Sequence, residues 1–178
     1  MAIDVGGPSE LTAGNRGDAA GSSVHVRFMR RAIALARRGS TAGDGGPFGA
    51  VIVRDGRIIG EGWNRVIATR DPTAHGEMVA IRDACRRIGN ISLEGSVLYT
   101  SGQPCPMCLG AIYWARIERV FYGFSIQDAA GIGFDDHFIH EQLARPPEQR
   151  AIPEIPLLRA EALEILEAFA ADPGRVRY

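Results

Sequence analysis

The sequence predicts an α/β fold in which a mixed sheet carries helices on both faces. Three observations lead there. Residues 50–63 read AVIVRDGRIIGEGW, two β-rich runs around an Asp-Gly pair, which is the strongest short-range signal for a hairpin. Beyond that hairpin, short apolar runs alternate with helical patterns, the order that layers helices against a sheet. The chain has 178 residues at 46% hydrophobic content, which suits one domain with a single sizeable core.

The elements follow in order. Residues 1–22 are rich in Gly, Ala, Ser and Asp with few large apolar groups. Such a segment buries too little to offset the entropy of ordering, so a flexible tail is expected, leaving 23–178 as the domain. Ser22 or Ser23 can cap a helix through Arg38, with Val26, Met29, Ile33 and Ala36 at helical spacing and Gly39 at its end. GDGGPFG is a loop. Ala50 to Arg54 and Arg57 to Trp63 are strands joined at Asp55-Gly56. Val66 to Thr73 is loop. Met78, Ile81, Ala84, Cys85 and Ile88 mark a helix from Ala74 to Ile88, stopped by Gly89. Val97 to Thr100 is a strand. Pro106 to Ala115 is a helix with proline in its first turn. Val120 to Gly123 is another strand, and Ile126 to His140 mixes loop and helix. PPEQRAIPEIP is broken by proline, and Ala160 to Ala171 is a last amphipathic helix.

Charge excludes some functions. Twenty basic against 21 acidic residues leave a net charge of -1, so no overall attraction to nucleic acid or anionic membrane follows. The arginines at 30, 31, 37 and 38, and at 82, 86 and 87, have no interleaved stacking aromatics and read as solvated helix faces. No apolar run approaches the roughly 20 residues of a membrane span, and the start lacks the pattern of a signal peptide. A cytoplasmic location is expected. Three cysteines, at 85, 105 and 108, do not make a disulfide framework. Cys85 falls in a helical pattern and reads as a small apolar residue.

The other two cysteines carry the chemistry. PCPMC at 104–108 puts Cys105 and Cys108 about one turn apart at the start of a helix, where the positive helix end favours thiolate. AHGEM at 74–78 puts His75 and Glu77 at the start of another. One histidine and two thiolates are three ligands for a zinc ion, the number that leaves a catalytic site one open position. Glu77 diverges from His75 and is free to work as a proton carrier beside that position. A closed zinc knuckle would need a fourth ligand that is not evident, and a redox CxxC leaves His75 and Glu77 unexplained. H-x-E followed by P-C-x-x-C is the signature of zinc nucleobase deaminases.

On those residues, and on GGPFGAVIV, DPTAHGEMVAIRDAC, LYTSGQPCPMCLGAIYWAR, GFDD at 133–136 and the terminal Tyr178, the chain resembles the cytidine deaminase-like superfamily, and within it the bacterial guanine deaminases. The resemblance runs from about Phe28 to the end. It implies a three-layer α/β/α fold around a five-stranded mixed sheet, one Zn2+ per chain, and a homodimer whose exchanged C-terminal segment closes the partner's site. It implies hydrolytic deamination of guanine to xanthine and ammonia, a small purine base being the partner rather than nucleic acid or membrane. It also implies roles: His75, Cys105 and Cys108 as metal ligands, Glu77 and Asp136 as catalytic acids and bases, and Asn64, Phe48, Gly76, Trp114 and Tyr178 as substrate contacts. Two positions depart from the pattern, Gly76 where most relatives carry Ala and Gln103 where many carry Glu. The alternatives are a related zinc deaminase acting on tRNA adenosine, cytosine or an aminotriazine, and a non-enzymatic zinc-stabilised interaction module. From the residues alone, Asp136 can equally cap a helix and Asn64 can equally be a turn residue.

Overall fold

The computed structural model describes residues 18–176. Helix α1 spans Asp18–Thr41 and is followed by strands β1 (Gly49–Arg54) and β2 (Arg57–Trp63). Helices α2 (Val66–Thr69) and α3 (Gly76–Ile88) lead to β3 (Ser96–Gly102), α4 (Pro106–Trp114) and β4 (Arg119–Phe124). The sheet order is β2-β1-β3-β4. Strand β1 is antiparallel to both neighbours, and β3 runs parallel to β4, the two being joined by α4 as a crossover. Asp55 and Gly56 both have positive φ, 50° and 69°, as a two-residue type I′ hairpin requires.

Alternation along the strands sets the layers. Val51, Val53 and Tyr99 pack on Phe28, Ala32 and Leu35 of α1. Ala50, Ile52 and Leu98 point the other way, onto Ala80 and Ala84 of α3 and Ile112 of α4. A side-chain period of two thus builds two cores on one sheet. Glycines bring α3 unusually close. A Cβ at Gly60 would stand 2.5 Å from the Ala80 carbonyl, and one at Gly62 would stand 2.5 Å from both the Ala80 nitrogen and the Gly76 carbonyl.

Several expectations are corrected. The sheet has four strands among the described residues, not five. After β4 the chain enters α5 (Ile126–Ala130) and α6 (His137–Ala144), then a proline-broken stretch with a 3-10 turn at Pro147–Gln149, then α7 (Arg159–Ala171). Pro146, Pro147, Pro153 and Pro156 deny this stretch regular backbone pairing, and it forms no strand. Helix α1 begins at Asp18, ahead of Ser22 and Ser23, since Ala19 and Ala20 favour helix. It also runs through Gly39, where any Cβ would strike the Trp63 ring. The stretch 66–69 is a short helix, not loop. Residues 1–17, Arg177 and Tyr178 lie outside the described residues.

Several arginines of the two clusters are engaged on the protein itself. Arg31 forms a two-pronged pair with Glu61 at 2.7 Å, Arg38 lies 4.6 Å over the Trp63 ring, and Arg86 and Arg87 bridge to Asp83. Among the described residues, no helix is long and apolar enough to cross a membrane.

Candidate functional site

Two helix starts face each other across the end of the sheet. His75 is the N-cap of α3 with Glu77 in its first turn. Cys105 is the N-cap of α4, Pro106 opens the helix, and Cys108 follows one turn in. His75 Nδ1 lies 3.6 Å from the sulfur of Cys105 and 3.6 Å from that of Cys108, and the three donor atoms lie within 4.8 Å of one another. Zn–S bonds of about 2.3 Å and Zn–N bonds of about 2.0–2.1 Å at tetrahedral angles give an N···S edge of about 3.6 Å. The donor set fits zinc in chemistry and in spacing.

Protonation within the cluster follows from the same contacts. The Cys108 thiol hydrogen-bonds to Cys105, which holds Cys105 down at about 4, with His75 adding to the effect against burial. Cys108 is pushed up, first by donating to Cys105, then by burial and by the nearby Glu77. His75 is raised chiefly by its hydrogen bond to Cys105. The cluster therefore holds protons that a divalent cation would displace.

These groups border a cavity of about 600 Å³. Glu77 reaches it while only 3% exposed. Thr100 donates to its Oε1 at 3.2 Å, and the Cys108 thiol faces its Oε2 at 3.6 Å. Burial raises its carboxyl above the ordinary range, as suits a group that must carry a proton near neutral pH. Asn64 lines the cavity and is 4% exposed. Its Oδ1 accepts the backbone N–H groups of Gly46 at 3.3 Å and Val66 at 3.2 Å. It is thus the turn residue its position allows, and the same bonds orient the side chain so that Nδ2 is left to donate.

The two aspartates of GFDD divide their work. Asp135 Oδ1 accepts the N–H of His137 at 2.9 Å, which serves the start of α6. Asp136 is the N-cap residue by position yet makes no capping bond with its side chain. Its carboxylate lines the cavity instead. Oδ2 lies 3.7 Å from His140 Nε2, and Oδ1 is buried with no partner among the described residues.

Phe48 forms one wall, with ring centroids 5.6 Å from Phe124 and 5.0 Å from Phe134, both edge-on. The cavity thus brings together His75, Glu77, Cys105, Asn64, Phe48 and Asp136, with Cys108 buried just behind. Gly76 does not line it. A Cβ there would stand 3.0 Å from the Phe48 carbonyl, so its glycine seats Phe48 rather than meeting a ligand. Trp114 is corrected too. It sits at the end of α4, 67% exposed, in a shallow depression with Ile81 and Ile91, because the helix turns it away from the end that holds the cysteines. Phe134, Thr100 and Gln103 also belong to the site, beyond the contacts expected from the sequence. Phe134 had a signal, since it precedes the two aspartates, but Thr100 is one of many small polar strand residues.

The chain matches the family model described as the cytidine and deoxycytidylate deaminase zinc-binding region over residues 22–124. It is 52% identical over 154 residues to the guanine deaminase of Bacillus subtilis, covering 86% of this chain and 99% of that one. The crystal structure of guanine deaminase from Bacillus subtilis superposes with a TM-score of 0.84 at 50% identity, covering 86% and 98%. A tRNA-specific adenosine deaminase of Haemophilus influenzae is 44% identical over 121 residues, 67% of this chain and 69% of that one. With the His-Cys-Cys cluster in place, the chain belongs to the cytidine and deoxycytidylate deaminase family and is a zinc-dependent aminohydrolase.

Proposed function

We propose that the reaction is hydrolytic deamination of free guanine to xanthine and ammonia. The observation that carries it is a buried, unpartnered Asp136 oxygen in the same cavity as Glu77 and the metal cluster, in a chain 52% identical to a guanine deaminase over almost all of that protein's length. Zinc held by His75, Cys105 and Cys108 supplies the Lewis acidity that lets water ionise near neutral pH.

The residues of the chain do the rest. Glu77 takes a proton from the attacking water and passes it to the ring nitrogen beside C2. The water oxygen bonds to C2, and the remaining hydroxyl proton is then transferred to the amine at Asp136 as the C2–N bond breaks, giving the C2 carbonyl of xanthine and ammonia. Burial of Glu77 favours its neutral form, so it can hold the proton between the two steps. Asn64 donates from Nδ2 to an acceptor on the purine, and Phe48 with Phe134 bounds the ring. The same reading makes the protein a cytoplasmic homodimer that exchanges its C-terminal segment, with Tyr178 closing the partner's site. Ile152, Ile155, Leu157, Ile165 and Phe169, each more than half exposed, support this.

The 44% identity to a tRNA-specific adenosine deaminase favours a second reading, an adenosine within RNA. One experiment separates them. The zinc-loaded protein is incubated with guanine, adenine, cytosine, an aminotriazine and tRNA, and ammonia release is followed. Release from guanine alone is expected. Release from tRNA only, suppressed by salt, would replace guanine by the RNA reading.

A further inference from the structure

Gln103 lies two residues before Cys105 and on the cavity wall. It is stitched to the strand end beside it. Its backbone N–H donates to the Phe124 carbonyl at 2.9 Å, and its side-chain Oε1 accepts the N–H of Ile126 at 3.3 Å. A backbone N–H can only donate, so this bond fixes which end of the carboxamide is oxygen. Nε2 is left with two N–H donors and no protein partner among the described residues. Asn64 shows the same arrangement, its oxygen held by two backbone donors and its nitrogen left over. The cavity lining therefore includes two amides whose oxygens are held by backbone donors, Asn64 and Gln103, together with the carboxylates of Glu77 and Asp136.

We propose that Gln103 is a specificity-determining residue, whose Nε2 donates to an acceptor atom of the bound base, a ring nitrogen or a carbonyl oxygen. This rests on the deamination of a free base proposed above. A carboxylate at this position would still accept the Ile126 N–H, but it would set an acceptor where the cavity now has a donor. A base with an acceptor facing that point is favoured by glutamine and disfavoured by glutamate.

The chemistry supplies a clean pair of variants. Gln103→Glu keeps the tether to Ile126 and removes only the donor. Gln103→Met removes both. KM and kcat are measured for guanine alongside zinc content and melting temperature. For Gln103→Glu, KM rises about tenfold, the weight of one hydrogen bond lost against an opposing charge, while zinc content and melting temperature hold. Gln103→Met shows a similar rise in KM with a lowered melting temperature. An unchanged KM in Gln103→Glu, or a rise confined to Gln103→Met, would make Gln103 a tether only and overturn the proposal. Loss of zinc from Gln103→Glu would overturn it as well, by routing the effect through the metal. Wild-type turnover of guanine tests the underlying reaction separately. If the wild type turns over another base, the same comparison is made on that base, and silence on every free base overturns both.

Discussion

Leu98 and Leu166 are the same residue in two different proteins, in effect. Leu98 sits in β3 with no exposure, locked between α3 and α4. Leu166 sits in α7, 62% exposed, on a helix with no buried residue. The body from α1 to β4 buries two apolar clusters against its own sheet, and its metal ligands stand at the starts of helices packed there. The segment after α6 carries a comparable density of Ile, Leu and Phe and leaves it outside. Ile152, Ile155, Leu157, Ile165 and Leu166 are each more than 60% exposed, which is the observation behind the exchanged dimer proposed above. The difference teaches that the metal cluster is assembled by the packed body of one chain, while the last helix is left with its apolar side chains uncovered.

Several experiments can break or sharpen that contrast. The largest effect falls within the body. Glu77→Gln lowers kcat about 10²–10⁴-fold while zinc content and fold are kept, and full activity in that variant would refute the proton role. Next, Leu98→Ala costs about 2–5 kcal/mol in denaturant unfolding at any protein concentration. Leu166→Ala costs close to nothing where the chain is monomeric, and its effect on melting temperature grows with concentration as an exchanged dimer forms. Equal, concentration-independent losses at both positions would remove the contrast.

Acidification gives a smaller and graded effect. His75 is raised chiefly by Cys105, and Cys108 keeps its proton, so protons compete with zinc above the ordinary histidine range. Zinc is held at high pH and is released as pH falls, because ligation requires His75 and both cysteines deprotonated. Zinc content measured after dialysis across about pH 8 to 5 should fall monotonically, and a flat profile would argue against this ligand set. The smallest effect belongs to Glu61, whose carboxyl is lowered mainly by its hydrogen bonds to Arg31. A depressed carboxylate stabilises the fold above the ordinary Glu range and loses that contribution as pH falls through its folded value. The pair is partly exposed, so Arg31→Ala should cost about 0.5 kcal/mol or less at neutral pH, read from the urea midpoint.

Much of the site was legible because its residues sit at points that sequence marks well. Helix starts are marked by spacing and by proline, so His75, Glu77, Cys105 and Cys108 could be placed before any coordinates. Asp136 was ambiguous, since an Asp-Asp pair before an apolar run has two uses, and only the bond from His137 to Asp135 assigns the capping use to one of them. Trp114 was misplaced because proximity to PCPMC in sequence says nothing about which way a helix carries a side chain at its far end. The hairpin and both flanking layers followed from patterning. The fifth strand came from resemblance alone, and the described residues form four.

The close seating of α3 on the hairpin has a consequence for how damage to this enzyme will be distributed. Gly60 and Gly62 touch neither metal ligand nor cavity, yet they set how deeply the helix that begins at His75 rests on β2. A side chain at either acts like a shim under a hinge, lifting His75 and Glu77 away from cysteines anchored on the other side. A complete substitution scan will therefore show a second band of inactivating positions on the hairpin, recurring at every other residue, in a stretch with no chemistry of its own.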